Sequence, residues 1–145
     1  MSLLAGRRPA NLGAKDGRLA PPKRTPNCVS SQADPADAEH YVAPIAFAGT
    51  DGEAMAAARR AIASMERSTI VSESPGYLYA EFRSKLLGYV DDLELLFDGP
   101  GQRFHVRSAS RLGRRDFGVN RKRVEALRER LQGLSLRTPG DRLSA

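Results

Sequence analysis

From residue 69 to residue 110 apolar and polar side chains alternate with a period of two, in segments broken at Pro75-Gly76, Gly88 and Gly99-Pro100-Gly101. The alternation predicts strands over 69–74, 77–85, 91–98 and 103–110, and their short connections predict an antiparallel meander. A further short strand, 41–47, belongs at a sheet edge, because Pro44 has no N–H to give to a ladder. Between it and the meander the period lengthens. Met55, Ala58, Ile62 and Met65 form one stripe of a helix over 51–66, opened by Thr50 and Glu53 as a capping box. A last helix, 120–133, is expected to start on Asn120 as N-cap with Val119 and Val124 as a hydrophobic staple, and to stop at Gly133. Its buried stripe is Val124, Leu127, Leu131 and Leu134. The tail after 134 is polar and expected to fray. The first 39 residues hold five of the nine prolines and no sustained apolar period, which reads as an irregular arm.

Alternation also sorts the meander into faces. Leu78, Ala80, Phe82, Leu93, Leu95, Phe97, Phe104 and Val106 make the core face, expected to pack with Ile62 and Leu127. Tyr77, Tyr79, Glu81, Arg83, Lys85, Asp92, Glu94, Leu96, Arg103, His105 and Arg107 make the other, expected to be exposed. The class is therefore α+β, in the order β-α-β-β-β-β-α with both helices on one face. That order resembles the TATA-binding-protein-like and helix-grip folds in topology alone, and topology carries no activity.

Composition narrows the classes. With 145 residues, 41% apolar and without Trp, the chain suits one small domain, 41–134, with the arm before it. No apolar run nears the roughly 18 residues of a membrane span, and the opening stretch is too short for a signal-peptide core, so a cytoplasmic location is expected. A single cysteine, Cys28, excludes an internal disulfide and Cys-based zinc fingers; two histidines show no metal-ligand spacing, so neither metal nor cofactor is expected. The net charge of +6 is unevenly spread: residues 1–25 hold six basic side chains and one acid, 119–145 seven and three, and 26–118 ten and thirteen. A basic arm and helix around an acidic centre make nucleic-acid binding the weakest reading.

Candidate chemistry lies on the polar face and the loop after it. A four-residue turn 99–102 sets Asp98 opposite Arg103, Leu96 opposite His105 and Glu94 opposite Arg107, and matched faces put Arg83 beside Asp92 or Glu94. The resulting Arg83, Glu94, Arg107 ladder is either cross-strand pairing, worth about 0.2–1 kcal/mol per pair, or a binding face on which Tyr77 and Tyr79 flank guanidinium groups that hold a carboxylate or phosphate. Arg111, Arg114 and Arg115 precede the last helix, where backbone donors favour anions. Arg83, Arg107 and Arg111 are expected to converge there, with Asp116 as the competing local partner. Cys28 as a nucleophile would need His40 or His105 as base, and the alternative is a small packed hydrophobe.

The segments Arg8-Pro-Ala-Asn-Leu-Gly13, Asp16-Gly-Arg-Leu-Ala-Pro21, Pro26-Asn-Cys-Val-Ser-Ser31, Tyr79-Ala-Glu-Phe-Arg-Ser84, Gly88-Tyr-Val-Asp-Asp92, His105-Val-Arg-Ser-Ala-Ser-Arg-Leu-Gly113 and Val119-Asn-Arg-Lys-Arg123 resemble the domain-of-unknown-function family numbered 1499, over about residues 8–131. Similar proteins occur in bacteria and plastids, some exported or lumenal, and the resemblance implies no activity. It implies that the arm is irregular but docked. In many similar sequences a second Cys stands where this chain has Pro22, which argues against a disulfide or redox function here. The residues and the resemblance together favour a non-enzymatic binding or assembly module for an anionic ligand or a protein partner. An enzyme using Cys28, His40 or His105 with Arg83 and Arg107 is the alternative.

Overall fold

The computed structural model describes residues 3–135, so the tail expected to fray lies outside the described residues. In chain order the elements are a 3-10 turn (Leu3–Ala5), β1 (Cys28–Ser30), β2 (Ile45–Ala46), α1 (Asp51–Ala63), β3 (Ser68–Ser74), β4 (Tyr77–Arg83), β5 (Val90–Asp98), β6 (Arg103–Ser110) and α2 (Val119–Leu134). The meander forms as its period requires, each strand antiparallel to the next. The α+β class holds, in a six-stranded antiparallel sheet ordered β1-β6-β5-β4-β3, with β2 also on β6.

Register separates what the turns dictate from what they do not. Across β5 and β6, Asp98 faces Arg103, Leu96 faces His105 and Glu94 faces Arg107, as the turn 99–102 implies. Across β4 and β5 the expected ladder is corrected: Arg83 faces Val90, Glu81 faces Asp92 and Tyr79 faces Glu94. The cause is the connection. β4 stops at Arg83, and a loop 84–89, closed by Ser84 N–H donating to Tyr89 O at 2.8 Å, replaces the tighter turn.

The core face is the expected one. Leu78, Phe82, Leu93, Leu95, Phe97, Phe104 and Val106 pack with Ile62 of α1 and Val124, Leu127 and Leu131 of α2, which places both helices on one side. Phe47, Phe97 and Phe104 meet edge-on or tilted, with ring centroids 4.9–6.2 Å apart. Helix α1 carries the Thr50/Glu53 capping box. It buries chiefly alanines, Ala54, Ala57, Ala58 and Ala61, while Met55 and Met65 are only partly covered. It ends at Ala63 rather than 66, where the Ser64 hydroxyl donates to Ala61 O at 2.7 Å.

Three further differences from the expected elements have identifiable reasons. The strand expected over 41–47 shrinks to two residues, because Pro44 lacks a donor and Arg128 takes the carbonyls of Ala43 and Pro44 at 2.8 and 2.7 Å. Strand β1 lies inside the arm expected to be irregular, pairing Cys28 with Ala109; three residues are too few to show a period. Helix α2 starts at Val119 behind Gly118, whose φ of 80° suits glycine, and runs one residue past Gly133. Asn120 is not its cap but a buried side chain, accepting from Ser108 Oγ at 2.7 Å and donating to Asn27 O at 3.2 Å. Gly118 holds the N-cap position, and from two residues before it the Asp116 carboxylate accepts from the Gly118 and Asn120 N–H groups at 2.9 and 3.1 Å. Val119 is exposed, so no staple forms. No helix among the described residues is long and apolar enough to cross a membrane.

Candidate functional site

The polar sheet face is not open. Tyr77, Tyr79, Asp92, Glu94 and Arg107 are each 1–8% exposed, because the arm lies across them as a third layer. Asp16 and Gly17, at φ 52° and 73°, close a tight hairpin in which Lys15 and Arg18 exchange backbone hydrogen bonds. Leu12 and Leu19, on either side of this hairpin, pack with Tyr77, Tyr79, Leu96 and Val71. Polar contacts fix the arm's position: Gly13 N–H donates to Glu94 Oε2 at 2.8 Å, Arg107 donates to Pro21 O at 3.2–3.3 Å, and Arg8 reaches Glu81 at 2.7 Å. The exposed-face expectation is corrected by this cover. It combines apolar burial with the pairing of a basic arm to an acidic sheet face.

Two acid centres lie beneath it. Tyr77 OH donates to Glu94 Oε2 at 2.5 Å, and Glu94 Oε1 has no hydrogen-bond partner among the described residues. Burial pushes the Tyr77 phenol up, and the bond to Glu94 adds to the shift. At the second centre Arg111 grips both oxygens of Asp92, at 2.9 and 2.8 Å, and reaches Glu81 at 2.5 Å, while Tyr79 OH donates to Asp92. Burial alone would raise the Glu81 carboxyl, but Arg8 and Arg111 hold it below its usual range. Asp92 dominates the upward shift of the Arg111 guanidinium. Arg83, Arg107 and Arg111 therefore do not converge: Arg107 turns to Pro21, Arg111 to Asp92, and Arg83 is exposed with its nearest acceptor Gly88 O at 3.5 Å. Glu94 and Arg107 face each other in register without an ion pair.

The catalytic candidates are dispersed. Cys28 is fully buried, and burial is the main cause raising its thiol, with Arg107 opposing. Among the described residues no hydrogen bond joins it to a histidine. His40 holds Asp37 through Nδ1 at 2.7 Å and Thr25 O through Nε2 at 2.9 Å. His105 Nδ1 meets Ser31 Oγ at 3.2 Å, and its pKa is lowered, chiefly by burial. Asp37, Glu39 and His40 bring ligand-type atoms within 4.8 Å of one another, but both His40 nitrogens already have partners.

What stays accessible is one end of the sheet. Antiparallel pairing brings the loop 84–89 between β4 and β5, the loop 111–118 after β6, and the start of α2 together there. All the large apolar side chains that are exposed among the described residues sit at this end: Leu86 and Phe117 at 89%, Leu87, Val119, Tyr89 and Leu112 at 40–55%. Phe117 adopts a φ of 54°, which an aromatic residue takes only at a cost of about 1–2 kcal/mol, inside the Asp116 turn. A groove of about 480 Å³ runs between the loops, lined by Leu4, Tyr89, Val90, Leu112, Phe117 and Val119. Arg115 also lines it, and Arg83, Lys85 and Lys122 line the neighbouring depression, which shares Tyr89 and Val119 with it. Asp91 is paired with Arg123 at 2.8 Å, and Asp116 serves the helix start. No ion pair among the described residues involves Arg83, Lys85, Arg114, Arg115 or Lys122. Sequence reasoning found the arginines but not the apolar side chains, which in a string look like strand ends.

A family model described as Protein of unknown function (DUF1499) matches residues 18–131, well over half of the chain. No curated protein and no solved structure matches.

Proposed function

The chain belongs to that family, whose description names no activity, and from its geometry we propose a non-enzymatic binding module whose working surface is the loop end and whose ligand or partner is both apolar and anionic. One observation carries this reading: among the described residues the exposed large apolar side chains gather at one end, beside cations that have no ion-pair partner there. Apolar patches rimmed by charge mark interaction surfaces, since water exposure of Leu and Phe brings no gain to an isolated domain. Arg83 and Arg114 stay as contact residues, joined by Lys85, Arg115 and Lys122. Tyr77, Tyr79, Glu94, Arg107 and Arg111 become the scaffold that holds the arm and the base of the loop 111–118. Support for the enzyme alternative weakens, because the thiol of Cys28 is buried without a histidine base.

The test is an NMR titration with octyl sulfate below its micelle concentration, using inorganic sulfate as the chainless control. Saturable shifts should appear at the amides of 84–89 and 111–119. Phe117→Ser or Arg115→Gln should weaken binding about tenfold, which is about 1.4 kcal/mol, and sulfate alone should bind far more weakly. Wild-type protein without saturable shifts in these loops would overturn the reading.

A further inference from the structure

The exposed apolar residues of the loop end divide into two kinds. Tyr89, Leu112 and Val119 line or border the groove, whereas Leu86 and Leu87 stand outside it on the tip of the loop 84–89, and Phe117 projects at its rim. A ligand filling the groove would leave Leu86 and Leu87 in water, and a rigid protein partner would need a matching pit for each projecting side chain. A fluid acyl layer accepts projections without preformed pits. Around them stand Arg83, Lys85, Arg115 and Lys122, and the exposed Arg114 precedes Arg115 in the same loop. Of the acids nearby, Asp91 is engaged with Arg123, Asp116 with the start of α2 and Glu66 with Arg67 at 3.0 Å, while Glu39, which shares a depression with Arg115 and Phe117, lies 3.7 Å from His40. The opposite end, where Asp98 pairs with Arg103 at 3.1 Å and Asp51 lies against Gly99, exposes no large apolar side chain among the described residues.

Apolar tips inside a cationic collar complement a surface that is apolar below and anionic above. We infer that the loop end docks on an anionic lipid bilayer, with Leu86, Leu87 and Phe117 entering the acyl boundary and Arg83, Lys85, Arg114, Arg115 and Lys122 meeting lipid phosphates. This rests on the loop-end reading above and names its partner. The contact is peripheral, since it uses loops, and the buried Arg111–Asp92 pair anchors the loop 111–118 at its base.

The full chain should be floated with vesicles of phosphatidylcholine alone and with vesicles carrying about 30 mol % phosphatidylglycerol, at about 0.1 and 0.5 M salt. Partitioning onto anionic vesicles should exceed that onto neutral ones at least about tenfold and fall at high salt. Leu86→Ser combined with Leu87→Ser, and Phe117→Ser separately, should each lower it about tenfold while the unfolding midpoint is kept. Arg114→Gln combined with Arg115→Gln should lower it and flatten its salt dependence. A chain that shifts with octyl sulfate but does not float with anionic vesicles would defeat the bilayer proposal and leave the loop-end reading standing. A chain responding to neither would defeat both. Flotation indifferent to every loop variant would overturn the proposal, as would binding to a single-stranded oligonucleotide in place of vesicles.

Discussion

Replacing Arg111 by Met tests whether its charge holds the fold together. The Arg111 and Asp92 side chains are 7% and 1% exposed, joined by two hydrogen bonds, with Glu81 on the same guanidinium at 2.5 Å. Met keeps the apolar stem and removes the charge, leaving Asp92 with the Tyr79 hydroxyl and Glu81 with Arg8. Breaking a buried pair and stranding one partner costs about 3–5 kcal/mol, so urea unfolding should show a loss in that range. Asp92→Asn alone should cost about 2 kcal/mol, since Arg111 retains Glu81. Combined with Arg111→Met it should recover about 2 kcal/mol, because the stranded charge is gone. If Arg111→Met also releases the arm, whose Gly6 carbonyl accepts from Arg111 at 3.4 Å, the urea m-value should fall, because less surface remains to be exposed. A loss below about 1 kcal/mol, or a cycle additive within about 0.5 kcal/mol, would refute the reasoning.

Phe82→Ala and Phe97→Ala should each cost about 3–5 kcal/mol in denaturant unfolding, since both side chains lie in the helix-covered core; losses under about 1 kcal/mol at both would mean that the helices pack elsewhere. Burial lowers the pKa of His40, but hydrogen bonds to Asp37 and Thr25 outweigh it and hold the ring above its ordinary value of 6.5. Its stabilising contribution is therefore complete below that value and is lost as pH rises through the folded-state pKa. His40→Gln should cost more stability at about pH 5.5 than at about pH 8.5, and a flat or reversed difference would overturn that assignment.

The sequence made local features legible where one residue type has one use. Thr50 with Glu53 announced α1, the turn 99–102 fixed the β5–β6 register, and alternation separated Phe82 and Phe97 from Tyr79 and Glu94. The same alternation could not show what covers the second face. A polar, acidic face reads as solvent-exposed until the arm is known to carry Leu12, Leu19 and Arg8 onto it. Signals for that cover were present: Asp16-Gly17 is a strong tight-turn dipeptide, and the arm's positive charge complements the centre's negative charge. Both contacts span more than 60 positions, beyond what periodicity reads. The exposure of Leu86, Leu87 and Phe117 was illegible for the opposite reason, since nothing in a string records the absence of a covering element.

Strands β1 and β2 share one side of β6 in tandem, and this bears on strand addition. Edges left unpaired are templates for extended peptides and for aggregation. Beyond β1, Ser30 N–H donates to His40 O at 2.8 Å and Ser30 O accepts from Val42 N–H at 3.3 Å, while Arg128 occupies the carbonyls before β2. That flank offers few vacant main-chain groups to an incoming strand. The other flank is β3, broken by a register shift between Ile70 and Ser72 and carrying the Arg59–Glu73 ion pair at 3.3 Å. A bulge and charges there discourage a second molecule from zipping onto the sheet, so self-association through edge pairing is disfavoured on both flanks.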